Sequence, residues 1–281
     1  MTYSTLRVER REPTAWIWMN RSEVHNAFDE ALIADLTAAF ATVDADPNVR
    51  AIVLAGEGKS FSAGADLSWM RQQGTAAFED NVADARRLAD LYRTIALCET
   101  PTLARVHGAA LGGGMGLAAV CDICVASTQA QFATSEVRLG VIPAVIGPYV
   151  VRAIGERQSY RYFQTGERIS AVCAHEIGLV HEVVPSEELD TKIDAICGAP
   201  RRRSVRPIGC DRPDPRGSEQ ANRRCGDRGH RAADSNAASQ ARGTGGTERL
   251  PRQASPCLDR HITRVRDPHM NSGRSGCSGR S

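Results

Sequence analysis

The chain has 281 residues, 42% of them apolar, and a net charge of +2, which is enough for one domain with a sizeable core. No apolar run reaches the ~18 residues of a membrane span, and no charged segment followed by an apolar one opens the chain, which argues against a membrane-spanning or exported protein. The average hides a seam: residues 201–281 hold 18 Arg, no Lys, 8 acidic residues and no Phe, Trp or Tyr, a net +10, whereas residues 1–200 carry 17 basic against 25 acidic residues, a net −8. These are compositions of two different kinds of polypeptide, and they place a boundary near Cys197.

In chain order, the β-rich runs Leu6 to Arg10 and Ala15 to Asn20 flank a turn around Pro13 and predict a hairpin. Asp29 stands at an N-cap position ahead of Leu32, Ile33, Leu36, Ala39, Phe40 and Val43, a helical spacing that Asp46-Pro47 ends. Ala51 to Gly56 is an unbroken apolar strand, followed by a loop from Glu57 to Leu67 and a helix from about Ala76 to Cys98 with Leu88, Leu91, Tyr92 and Ile95 on one face. After Pro101, Thr102 to His107 reads as another buried strand, and the glycine cluster Gly112 to Gly114 opens a further helix. Asp122 to Ala126 and Gln131 to Thr134 read as strands, the chain looks helical from Gly147, and a last helix begins near Ser186 and reaches Cys197. Continuous apolar strands alternating with helices predict an α/β fold whose strands are buried on both faces.

Nine cysteines are scattered along the chain, and the nearest pair, Cys121 and Cys124, sits in apolar sequence without a second pair to complete a zinc site. Buried free thiols in a reducing, cytoplasmic compartment, and no metal, are the expectation.

A strand that runs through glycines into a helix leaves unpaired N–H groups at the helix start and lets a ligand approach the backbone, so Gly112 to Gly114 can bind an oxyanion. Close packing of a helix on a sheet also selects glycine, so the triplet alone is weak evidence. The loop Phe61-Ser62-Ala63-Gly64-Ala65-Asp66-Leu67, directly after a buried strand, supplies a second set of backbone donors. Two donors from two loops make an oxyanion hole.

Three phrases, FSAGADL, HGAALGGGMGLAAVCD from His107 to Asp122, and SEVRLGVIP from Ser135 to Pro143, resemble in order and spacing the signature segments of the enoyl-CoA hydratase/isomerase (crotonase) superfamily. The resemblance covers about 190 residues. It implies a spiral of ββα repeats, assembly as trimers or hexamers, and an acyl-CoA substrate whose thioester oxygen lies between the amides of Ala65 and Gly113, with coenzyme A being part of the substrate and no separate cofactor. Carried over by motif position, Val24, Ala27, Ala63, Asp66 and Leu67 would cradle the coenzyme A portion, and Gly112 would belong to the oxyanion loop. Of the two glutamates of the family's hydratases, one lies two residues after the glycine triplet, where this sequence has Gly116. The other is retained as Glu136, the implied general acid/base. A histidine beside a buried strand, such as His25 or His107, is more often a satisfied core residue.

One carboxylate suits a double-bond isomerase, which shuttles a proton between carbons, or a hydratase, which deprotonates a water. The combination NRSEVHNAF, GGGMGL and SEVRLGVIPAVIGPYVVRAIGER resembles bacterial methylglutaconyl-CoA hydratases and their isohexenylglutaconyl relatives, which implies hydration of a branched or carboxylated enoyl-CoA such as 3-methylglutaconyl-CoA in leucine or isoprenoid degradation. Two like charges ~4 Å apart repel by about 4 kcal/mol at an effective dielectric of 20, so Gly116 in place of a glutamate would remove a clash with a substrate carboxylate and open space.

Residues 198–281 lack the 3.6-residue apolar period of the helices with which this family normally closes its site and builds its trimer interface. The expectation is a disordered Arg-rich tail produced by a frame shift in a GC-rich gene, with the C-terminal helical subdomain missing or replaced. An inactive truncated homologue and an RNA-binding protein are the competing readings. Binding tails usually mix Lys with Arg and interleave aromatics or RG units, and this one does neither.

Overall fold

The structure is a computed structural model that describes residues 2–198, and the expectations for residues 199–281, including disorder and a missing helical subdomain, lie outside the described residues. In chain order the elements are β1 (Leu6–Arg11), β2 (Thr14–Met19), α1 (Glu30–Asp44), β3 (Ala51–Gly56), α2 (Leu67–Gln73), α3 (Phe78–Leu97), β4 (Thr102–Val106), β5 (Ala109–Leu111), α4 (Gly113–Val120), β6 (Ile123–Ser127), β7 (Gln131–Ala133), α5 (Gly147–Thr165), β8 (Ile169–Ser170), α6 (Ala171–Glu176), β9 (Glu182–Val184) and α7 (Leu189–Gly198).

The larger sheet has the order β1-β2-β3-β4-β6-β9, with an antiparallel β1–β2 hairpin and parallel pairing across the rest. A smaller sheet, β5-β7-β8, runs beside it. Isolated bridges from Phe28 to Ala65 and from Ser62 to Ala110 extend its pattern backward along the chain. Successive turns of chain therefore place one strand in the large sheet, a short paired segment next to the small one, and then a helix. That is the ββα spiral the resemblance implies.

The hairpin and the Asp29 cap are where the sequence puts them: Leu6 faces Met19, and Asp29 Oδ1 accepts from Leu32 N at 2.8 Å. Period-2 alternation sends Ala15, Ile17 and Met19 of β2 into one core with Leu32, Leu36 and Phe40 of α1, and Trp16 and Trp18 into a second core under Leu189 and Ile193 of α7. All six residues of β2 and of β3 are buried, as a parallel sheet covered on both faces requires. Among the described residues no helix is long and apolar enough to cross a membrane.

Candidate active site

The loop after β3 is held against its neighbours by backbone bonds. Ser62 N donates to Ala109 O and Leu111 N to Ser62 O, both at 2.9 Å; Phe28 N donates to Gly64 O at 2.7 Å and Asp66 N to Phe28 O at 2.9 Å. The amide of Ala65 lies between these bonds and donates to no backbone acceptor among the described residues. Gly64 has φ +88°, and a Cβ there would stand 2.8 Å from Leu111 O, so only glycine lets the loop lie this close to the strand before α4.

Gly112 N donates to Ala133 O at 2.8 Å, which leaves Gly113 N as the first free donor at the start of α4. A Cβ on Gly113 would collide with the Phe28 ring at 2.9 Å and approach the Tyr92 hydroxyl to 3.1 Å. Both free amides border a single cleft of about 340 Å³, whose walls include Phe28, Trp69, Met70, Val141 and Ile142.

Glu136 enters this cleft from the 3-10 turn Glu136–Leu139 that follows β7. A side chain on Gly112 would place its first carbon 3.3 Å from Glu136 Oε1, so the carboxylate packs against the glycine loop. Its Oε2 is buried with no hydrogen-bond partner among the described residues. Burial raises the carboxyl pKa above its ordinary value, partly opposed by a bond from its own backbone amide. A carboxyl held this way binds a proton readily, as a group that takes up and returns a proton must.

Of the residues singled out from sequence, Ala63, Ala65, Leu67, Gly112, Gly113 and Glu136 meet at the cleft. Val24, Ala27 and Asp66 do not line it. Asp66 instead caps α2 by accepting from Ser68 N at 2.9 Å and pairs with Arg21 at 3.3 Å, while the Arg21 guanidinium also donates to Ala27 O. Bonds to Ser68, ahead of the Arg21 charge, hold the Asp66 carboxyl below its usual pKa, and all of this fixes the loop without facing the cleft. His25 Nδ1 sits 3.1 Å from Ser60 Oγ and His107 Nε2 sits 2.9 Å from Gly58 O, so each ring is held by a neighbour away from the cleft, His25 on the surface and His107 half-buried.

Gly116 needs a correction. It does not border open space: it lies behind the cleft wall, and a Cβ there would meet Ile146 Cγ2 at 2.4 Å and Tyr92 Cε1 at 3.0 Å. The volume that a side chain at this position would occupy is filled by Ile146, which itself lines the cleft. Sequence reasoning overlooked Ile146 and Tyr92 as neighbours of the site. Tyr92 was visible only as one of four apolar residues on a helix face, and the partner of such a face is decided by tertiary packing.

An apolar cleft with free backbone donors and one partly buried carboxylate belongs to an enzyme that stabilises a developing oxyanion while moving a proton. The chain belongs to the enoyl-CoA hydratase/isomerase family, whose model matches residues 9–199, and so to the crotonase superfamily. "Probable enoyl-CoA hydratase echA8" of Mycobacterium tuberculosis is 37% identical over 199 residues, spanning 69% of this chain and 74% of the relative. The crystal structure of an enoyl-CoA hydratase from Shewanella pealeana is 40% identical with a TM-score of 0.67, covering 69% of this chain and 74% of that one. An enoyl-CoA hydratase structure from Mycobacterium smegmatis is 36% identical with a TM-score of 0.66, covering 69% and 75%.

Proposed function

We propose that the protein adds water across the double bond of an enoyl-CoA thioester with Glu136 as its one acid/base group. The carrying observation is that Glu136, its carboxyl pKa raised by burial, lines the same cleft as the free amides of Ala65 and Gly113. Glu136 takes a proton from water as the water oxygen bonds to the β-carbon, and the π electrons move onto the thioester oxygen between the two N–H groups. The same carboxyl then returns its proton to the α-carbon as the enolate collapses, so H and OH are added and the enzyme is regenerated. Each donor in such a hole is worth roughly 3–4 kcal/mol in the transition state.

The acyl group is the finer part of the proposal. The local resemblance to methylglutaconyl-CoA hydratases supports a branched chain of leucine or isoprenoid degradation. Among the described residues Glu136 is the one charged side chain lining the cleft, and no Lys, Arg or His joins it. A second substrate carboxylate would meet apolar walls and the Glu136 charge without a counter-ion, which favours an uncharged branched chain over 3-methylglutaconyl itself. The cytoplasm is the proposed site of action, supported by cysteines scattered along the sequence without paired spacing, and a trimer or hexamer is the proposed assembly, supported by the family resemblance.

The test is loss of enoyl-thioester absorbance with purified protein, run side by side on crotonyl-CoA, 3-methylcrotonyl-CoA and 3-methylglutaconyl-CoA. Hydration of the first two ahead of the third is expected. Retained absorbance with movement of the double bond between carbons would give the reaction to an isomerase that uses the same Glu136.

A further inference from the structure

We infer that Tyr92 is a positioning residue for the oxyanion donor at Gly113, acting through a hydroxyl that never reaches the substrate. This rests on the proposed role of the Ala65 and Gly113 amides. The Tyr92 hydroxyl, fully buried on α3, donates to Gly113 O at 2.7 Å. That carbonyl belongs to the first residue of α4, so the bond adds a side-chain restraint to the turn whose free N–H groups face the cleft. Gly113 is gripped from two sides: a Cβ would meet Phe28 Cε2 at 2.9 Å and the Tyr92 hydroxyl at 3.1 Å. Tyr92 is in turn braced by Tyr149 of α5, with ring centroids 5.7 Å apart and 27° between planes.

The hydroxyl ties the start of α4 to α3, and the ring stack ties α3 to α5. Catalytic donors work when their direction is fixed before the charge develops, and misplacement by a fraction of an ångström is enough to weaken them. The bonded carbonyl belongs to the 113–114 peptide, one plane beyond the one that carries the Gly113 N–H, and glycine has no side chain to limit rotation at the Cα that joins them, so the phenol steadies the donor by fixing that next plane. Burial, and after it the negative charge of Glu136, hold the phenol pKa well above its ordinary value, so the hydroxyl remains a donor throughout the working pH range. Tyr92 does not line the cleft, which separates this role from proton transfer.

The test uses the full chain and the chromophoric thioester 4-(dimethylamino)cinnamoyl-CoA, whose absorption moves to longer wavelength when its carbonyl is polarised. The wild-type protein should red-shift the bound probe, and Tyr92→Phe should bind it with a smaller red shift. In turnover of crotonyl-CoA, Tyr92→Phe should lose about tenfold in kcat with KM changed by less than about twofold. Tyr149→Phe keeps the ring stack and should leave the red shift as it is. Site-specific 3-fluorotyrosine at position 92 keeps both the ring and the hydroxyl, so it should retain the wild-type red shift even if the phenylalanine variant does not fold. An undiminished red shift in Tyr92→Phe, an equal loss in Tyr149→Phe, or a loss with fluorotyrosine overturns the inference alone. Absence of any red shift in the wild type overturns the oxyanion reading and the inference with it.

Discussion

Glu136 is subject to two opposing demands. As a base it must be ionised at working pH, yet burial favours its neutral form, and Oε2 has no partner among the described residues. Glu136→Gln keeps the shape and removes the basic oxygen, so kcat should fall by at least ~10² while thioester affinity changes little. Near-normal turnover in that variant would remove Glu136 from the mechanism. The pH dependence follows from the raised pKa. Because the folded carboxyl binds its proton more tightly than the unfolded one, Glu136 favours the fold below its ordinary value of 4.5, and that contribution is lost as pH rises through the folded pKa. At neutral pH the ionised group therefore opposes folding, and Glu136→Gln should raise Tm there while abolishing turnover. On lowering the pH the rate should decline through a limb that lies above the ordinary glutamate value of 4.5. A lower Tm for the glutamine variant at neutral pH would mean that the carboxylate has a stabilising partner.

At the scale of elements, α4 is locked by contacts that a sequence does not display. Gly116 faces Ile146, which is 3% exposed and has nowhere to go, so Gly116→Ala should cost ~1–3 kcal/mol by overpacking. Ile146→Ala alone leaves a cavity and should cost ~2–5 kcal/mol. Because the new methyl enters space vacated by Cγ2, the double variant should be less destabilised than the two single effects together, a coupling that thermal unfolding of the four proteins measures. Strict additivity would show that the two residues do not touch. The same contact explains what was legible beforehand. Strands and helices with strong periods, such as β3, α1 and α3, could be read to within a few residues because burial on one face or two imposes its own spacing. The short elements β5, β8, β9, α2 and α6 were read through, since two to seven residues carry too little pattern to separate them from loop. At the site, Ala65, Gly113 and Glu136 were legible because backbone donors leave small-residue signatures. Gly116 was misplaced because a glycine looks the same whether it opens a cavity or admits a neighbour's isoleucine.

At the scale of the whole molecule, the family match runs to residue 199 and α7 is described to Gly198, so the compositional seam falls just after a helical stretch that is still packed under the large sheet. Leu189, Ile193 and Cys197 keep the i, i+4, i+8 spacing that covers Trp16 and Trp18, and the residues that follow abandon it for Arg, Gly, Ser, Ala and Pro with no Lys and no aromatic side chain. Such a composition is what GC-rich codons give when read out of register, and it switches on within a few residues where a linker between domains normally shifts gradually. The prediction is one of the coding DNA: translated from about codon 198 in one of the other two frames, it should continue an amphipathic pattern with a 3.6-residue apolar period and bring Lys and aromatic residues back. If both alternative frames meet stop codons at once or lack that period, the shift did not happen, and the +10 charge of residues 201–281 has to be explained as a property the protein uses.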